Sequence, residues 1–298
     1  MLRFDGKVAL VTGAGRGLGR AHALLLAARG ARVVVNDLGT SGAGTGVDVS
    51  PAQSVVDEIR AAGGEAVVNA DSVVDGGRIV EAALDHFGRI DLVVNNAGFL
   101  RDVAFHKMTA ADWDDLYQVH LLGAFRILHA AWPRMRDQGY GRVLNTSSAA
   151  GIYGNFGQVN YGSFKLALHG LTQPLAVEGK AKNIHVNTIA PAADSRLTRT
   201  VMTPEQLAPM RADLVSPLVA WLCHEDCAET GGLFEVGGGF IAKLRWERAG
   251  GAYLDLTGGN AVEAVAEAWG AITDFANGEH PAGFGEAMAP FVKLMGSS

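Results

Sequence analysis

The chain has 298 residues, 48% of them hydrophobic and 19% charged, which is ample apolar material for a buried core and a length that fits one large domain or two small ones. A net charge of −6 and a pI near 5.8, with no Lys/Arg run and no basic stripe interleaved with aromatics, exclude the electrostatic footprint of nucleic-acid binding and leave a small molecule as the expected partner. No apolar run nears the ~18 residues needed to cross a bilayer, and the amino terminus lacks the charged, apolar and small-residue order of a secretion signal, so a soluble intracellular protein is expected.

Apolar runs of strand length at 7–12, 31–36, 65–69, 90–95, 141–147, 184–190 and 233–236 alternate with longer helix-like segments. Continuous apolar strands separated by helices predict a doubly wound α/β fold with a parallel sheet covered on both faces. Between the first strand and the helix built on AHALLLAARG lies Thr12-Gly-Ala-Gly-Arg-Gly-Leu-Gly19. Glycines there let the backbone turn tightly and approach a pyrophosphate, and the helix start offers free N–H groups and a partial positive charge. Dinucleotide contacts are expected at Gly13, Arg16, Gly17, Leu18 and Gly19. Asp37 ends the second strand at roughly the ~20-residue distance where an acid bonds the adenosine ribose hydroxyls. Its charge would repel a 2′-phosphate, so NAD(H) is expected over NADP(H), although Arg16 is a cation that a phosphate could use.

Next comes the glycine-rich stretch 38–46, which reads as a mobile loop ended by Pro51 at a helix start. Asp71-Ser72 closes the third strand and Asn95-Asn-Ala-Gly98 the fourth, the ends at which an open parallel sheet meets its ligand. Asp71, Ser72, Asn95, Ala97 and Gly98 are therefore candidate contacts, with plain turns as the alternative. His120, in QVHLLGAF, reads as a packed helix residue. Tyr161 stands four residues before Lys165 and thirteen after Ser148. If Tyr161 starts a helix running to about 181, Lys165 shares its face one turn on. A free phenol titrates near ~10, and an opposite charge within a few ångströms lowers that by about 1–3 units. Tyr161 is thus expected to take a hydroxyl proton as a hydride leaves the same carbon, with Ser148 bonding the reacting oxygen. Tyr140 and Tyr153 have no lysine so placed and read as packing or loop residues.

Cys223 and Cys227 in LCHEDC fall at i and i+4 beside His224, which puts both on one helix face; no second cluster completes a metal site, so two reduced cysteines are expected and no metal. The Gly-x-Ser-x-Gly elbow of a serine hydrolase is absent. Towards the end, Asn260 could cap a helix with Val262, Val265, Trp269, Ile272 and Phe275 on one face. The expected division is a dinucleotide-binding domain with the active site over 1–248 and a helical extension over 249–298, packed on the same domain or on a second subunit.

Thr12 to Gly19, Asp71, Asn95-Asn-Ala-Gly98, Ser148, Tyr161 and Lys165, in that order, resemble the short-chain dehydrogenase/reductase family. Longer strings, among them VTGAGRGLGRA, VVNNAGFLRD, GIYGNFGQVNY, NIHVNTIAP and KLRWER, resemble its (3R)-hydroxyacyl-CoA dehydrogenases from about residue 3 to at least 248. The resemblance implies a Rossmann fold, a homodimer or homotetramer, NAD as cofactor, and oxidation of a 3-hydroxyacyl-CoA to the 3-ketoacyl-CoA in β-oxidation of fatty or sterol side chains. It makes Ser148, Tyr161 and Lys165 the catalytic set, the last two also touching the cofactor, and sets Ser195 near the nicotinamide amide. Pro191-Ala192 replaces the family's usual Pro-Gly before that loop, and His120 stands where many members carry an asparagine that helps relay protons from the lysine. Arg196 and Arg199 could meet coenzyme A phosphates or be surface charges. A separate hydratase would supply the substrate. The ending Met-Gly-Ser-Ser, without Ser-Lys-Leu, makes a cytoplasmic setting the expectation. The alternatives are a 17β-hydroxysteroid or other secondary-alcohol dehydrogenase and, from another class, an NAD-binding sensor without turnover.

Overall fold

A computed structural model describes residues 1–40, 44–193, 203, 205 and 209–295. The expected strands form as β1 (Val8–Thr12), β2 (Arg32–Asn36), β3 (Ala66–Asn69), β4 (Leu92–Asn95), β5 (Gly141–Thr146), β6 (Ile184–Pro191) and β7 (Leu233–Gly237). Among the described residues they lie in one eight-stranded sheet of order β3-β2-β1-β4-β5-β6-β7-β8, in which the paired strands from β3 to β7 are parallel. The last strand, β8 (Phe240–Leu244), was not expected from the sequence. It returns beside β7 after the two-residue turn Gly238-Gly239, both at positive φ, which is a hairpin signal that the short run FIAKL, exposed or half-exposed throughout, does not announce by hydrophobicity.

Both faces of the sheet are covered, so every residue of β1, β4 and β5 is buried and each of these strands carries an apolar run. The two-residue period divides them. Ala9 and Val11 face one core with Leu26, Val55, Ile59 and Leu222, and Val8 and Leu10 face the other with Ile79, Val80, Ile127 and Met135. The first core is closed by α1 (Gly17–Ala28), α2 (Ser50–Ala61) and, after the shorter helices below, α8 (Ser216–Cys223). The second is closed by α3 (Gly76–Phe87), by α5 (Gly123–Gln138), which continues α4 (Ala110–Leu116) through a π-wound stretch Tyr117–Leu122, and by α7 (Val159–Gly179). A short α6 (Ala149–Ile152) follows β5. Each fully buried Val, Leu or Ile on these faces contributes about 1.5–3 kcal/mol by leaving water.

The helix with the two cysteines ends at Cys223, where His224 turns to an extended backbone, so Cys227 lies beyond it and the expected shared helix face does not form. Both cysteines are buried and free, and among the described residues no group of three or more His, Cys, Asp or Glu could hold a metal. The chain divides into two compact units, Met1–Lys243 and Leu244–Ser298. In the second, α9 (Ala261–Ile272) follows Asn260, whose side chain makes no capping bond, and α10 (Phe284–Met295) is tied to the unit's loops by Arg248, which donates to Ala287 O and pairs with Glu279. Phe275 falls past the end of α9. No described helix is long and apolar enough to cross a membrane.

Candidate active site

Strand order reverses between β1 and β4, and a cavity of about 580 Å³ opens at the carboxyl ends of the strands there. Of the residues expected to meet a ligand, Gly13, Arg16, Gly17, Leu18, Asp37, Asp71, Ser72, Ala97, Gly98, Ser148, Tyr161 and Lys165 line it. Gly19 and Asn95 do not; Gly19 packs behind the turn against Gly13, and Asn95 lies beneath, lining a second cavity of about 10 Å³. Ser195, Arg196 and Arg199 lie outside the described residues.

The turn after β1 has the form an extended dinucleotide needs. A Cβ at Gly13 would stand 2.8 Å from Ala97 Cα, so only glycine lets the turn lie against the 95–98 segment and leave backbone as the cavity wall. Thr12 Oγ1 locks the two together, accepting from Asn96 N and Ala97 N at 3.0 Å each. At one end of the cavity, Asp37 Oδ2 accepts from Gly15 N at 2.8 Å and Oδ1 from Gly39 N at 2.7 Å, which fixes the carboxylate at the end of β2. Asp71 accepts from Asn69 Nδ2, and Ser72 Oγ accepts from Val74 N. These residues fit a nicotinamide dinucleotide: glycine backbone for the pyrophosphate and a fixed acid for the ribose.

At the other end, α7 begins two residues before Tyr161, so Tyr161 and Lys165 do lie one turn apart. Ser148 lies beside Tyr161 and favours the ionised form of its phenol. Ser148 caps α6, its Oγ accepting from Ala150 N. Lys165 Nζ is 5.6 Å from the centre of the Tyr161 ring and donates to Thr146 O at 2.6 Å. The expected lowering of the phenol by this lysine does not occur in the chain alone. Burial pushes Tyr161 up to about 12, Ser148 only partly offsetting it, and burial pulls Lys165 down to about 7. Desolvation wins over an ammonium that is aimed at a carbonyl and not at the phenol.

His120 sits in the π-wound stretch and is 3% exposed. Its ring meets Tyr161 edge-on at 5.4 Å, and its Nε2 is 2.9 Å from Phe99 O. Burial first, and then the charge of Lys165, pull it down to about 3, so the imidazole is neutral. It is more than a packed helix residue, since it lines both cavities, and its Nδ1 and Asn95 Oδ1 are buried without a partner in the chain.

Gly154, Asn155 and Gln158, which the sequence did not single out, also line the cavity, as does Tyr153, expected as a packing or loop residue. The spacing behind Ser148 was the available signal, because any segment joining Ser148 to Tyr161 has to border both. Tyr153 is 66% exposed at the rim, whereas Tyr140 is buried between Lys7, 3.8 Å from its ring centre, and Arg142.

Residues 7–207 match the family model described as short chain dehydrogenase. The chain is 53% identical over 297 residues to peroxisomal multifunctional enzyme A of Dictyostelium discoideum, covering 99% of this chain and 66% of that enzyme. The solved structure of full-length peroxisomal multifunctional enzyme type 2 from Drosophila melanogaster superposes with a TM-score of 0.84 at 40% identity over 98% of this chain and 50% of that one. A 7α-hydroxysteroid dehydrogenase complexed with NADH and 7-oxo glycochenodeoxycholic acid superposes with a TM-score of 0.71 at 31% identity, covering 80% of this chain and 95% of that one. The chain thus spans two thirds or less of the multifunctional enzymes it resembles. These relatives are named as peroxisomal enzymes, which overturns the cytoplasmic setting expected from the sequence. Compartment is read by receptors from short addresses that leave no trace in the fold or the composition, which is why the sequence argument had no physical hold on it.

Proposed function

The chain belongs to the short-chain dehydrogenase family, an oxidoreductase family using nicotinamide cofactors, and from that membership we propose that it oxidises a (3R)-3-hydroxyacyl-CoA to the 3-ketoacyl-CoA with NAD. The observation that carries the reading is the half-buried Tyr161, beside Ser148 and one helical turn from Lys165, at the end of a cavity whose other end is the fixed carboxylate of Asp37. The acyl-CoA assignment is supported by likeness to the multifunctional enzymes, and NAD over NADP by Asp37, which would repel a 2′-phosphate. Residues 1–248 would hold the whole dehydrogenase machinery, in a homodimer or homotetramer fed by a hydratase.

When bound, NAD supplies the hydride acceptor and a positively charged ring. Ser148 donates its hydroxyl hydrogen to the substrate oxygen and holds it beside Tyr161. Tyr161 then takes the hydroxyl proton as the hydride departs. A phenol at about 12 is a reluctant base in the chain alone, so removal of that proton near neutrality depends on added positive charge close to Tyr161, part of it from Lys165. Exclusion of water strengthens each of these interactions.

The test is the appearance of reduced nicotinamide when the protein meets NAD with matched (3R)- and (3S)-hydroxyacyl-CoA and with 7α- and 17β-hydroxysteroids, with Tyr161→Phe as control. Turnover of the (3R) thioester, lost in the variant, is expected. Steroid turnover alone would move the assignment to a hydroxysteroid dehydrogenase, the second reading that the likeness to the 7α enzyme favours. Dinucleotide binding without turnover would favour a sensor.

A further inference from the structure

Arg16, Arg20 and Arg78 are each engaged by an acid. Arg16 Nη2 is 3.9 Å from Asp48 Oδ2, Arg20 Nη2 is 2.5 Å from Glu58 Oε2, and Arg78 Nη1 is 3.7 Å from Asp71 Oδ1. Of the three only Arg16 lines the cavity, and the other lysine or arginine in the described lining is Lys165, buried at the opposite end. Arg16 is therefore the group to which a phosphate on the adenosine ribose would turn.

Asp48 is held beside it by the way the chain leaves β2. Asp48 N donates to Leu38 O at 3.2 Å, so Asp48 returns to the residue that follows Asp37. That return requires Gly39: its φ is +74°, and a Cβ there would lie 1.7 Å from Asp48 O. Ser50 N donates to Asp48 Oδ1 at 3.0 Å, which orients the carboxylate at the start of α2. Gly39 N in turn donates to Asp37 Oδ1. The contacts of Gly39 and Asp48 thus hold two carboxylates in place, Asp37 at the end of β2 and Asp48 beside the Arg16 guanidinium.

We propose that Asp48 is a second cofactor-specificity residue, which occupies Arg16 and so denies a 2′-phosphate its counter-ion. Selection of NAD(H) over NADP(H) then rests on Asp37 by direct repulsion and on Asp48 through Arg16. The inference rests on the reading that the cavity takes a nicotinamide dinucleotide with its adenosine end at Asp37. A 2′-phosphate brings nearly two negative charges, and it gains little from an arginine already neutralised by a neighbour. Both partners of the Arg16–Asp48 pair are about half exposed, so solvent screens the pair and its effect is moderate.

Equilibrium binding of NADH and NADPH, followed by their fluorescence, tests this in the full chain without any substrate. In Asp48→Asn, which keeps an acceptor for Ser50 N, NADPH should bind about three- to fivefold more tightly and NADH within about twofold of the parent. The gain should vanish when Arg16→Gln is already present, since the aspartate acts through that arginine, and it should shrink at high salt. Unchanged NADPH affinity in Asp48→Asn, or an equal gain in the Arg16→Gln background, would overturn the proposal. Asp37→Ser separates it from the reading beneath it: a parent that prefers NADH and loses that preference only in Asp37→Ser sinks the role of Asp48 alone. A parent that binds neither dinucleotide sinks both.

Discussion

Both edges of the sheet carry buried polar groups, and they treat them differently. At the amino edge, Asp91 is fully buried, yet it accepts from Val8 N and from Nε and Nη2 of Arg89. Arg142, 1% exposed, donates to the carbonyls of Gly141, Asn183, His224 and Glu225 and to Asn183 Oδ1. At the carboxyl edge, Thr146 Oγ1, Asn95 Oδ1 and His120 Nδ1 have no partner in the chain, and burial shifts Tyr161 and Lys165 away from their ordinary values in opposite senses. Burial costs a polar group its water at both edges; at the first the two buried charges, Asp91 and Arg142, are repaid with hydrogen bonds inside the chain and only the Tyr140 hydroxyl is left without one, whereas at the second the orphaned atoms gather at the cavity. The difference separates polar groups that hold the fold from polar groups poised for something outside it.

The largest effect expected from this contrast is on rate. Tyr161→Phe removes the hydroxyl beside Ser148 and keeps the ring that packs on His120, so kcat should fall by ~10²–10⁴ while the thermal midpoint barely moves. A variant that melts early with its rate intact would place Tyr161 among the fold-holding groups and break the comparison. At the opposite edge the outcome should invert. Arg142→Met strips the donors from several buried carbonyls and should cost about 3 kcal/mol of stability in denaturant unfolding. Turnover per folded molecule should stay unchanged, because Arg142 lines neither cavity.

How much of this could be read from the sequence follows the same division. The strands from β1 to β7 were legible because strands buried on both faces carry apolar runs, and β8 was not, because FIAKL has no buried residue and is held by a glycine turn. The Tyr161–Lys165 spacing was legible because a helix repeats every 3.6 residues. The sign of the tyrosine's shift was not: it is set by how much water the packing of His120 and its neighbours removes, a three-dimensional quantity. Asn95 stands between the two cases. Its place after a strand was evident, but Asn95 Nδ2 donates across to Asn145 Oδ1, which turns the side chain under the sheet and away from the main cavity. Cys227 was misplaced because nothing in LCHEDC announces that the helix stops at Cys223.

Not every orphaned atom lies by the cavity, and His22 sharpens the rule. It sits on α1 in the helix layer, its Nδ1 2.8 Å from Ser216 Oγ and its Nε2 buried without a partner in the chain. Burial pulls it down to about 3 from an ordinary value of 6.5. The folded chain therefore keeps His22 neutral while the unfolded chain takes up a proton below pH 6.5, so stability is complete above 6.5 and drains away as pH falls towards 3. The slope for one such group is about 1.4 kcal/mol per pH unit, which amounts to roughly 2 kcal/mol at pH 5. Denaturant unfolding at pH 7.5 and 5 should show His22→Leu losing about that much less between the two than the parent, whatever its stability at pH 7.5, with turnover at neutral pH retained. Equal losses in the two proteins would mean that the proton reaches His22 in the folded state, and that helix layer would then belong with the open edge of the sheet and not with the closed one.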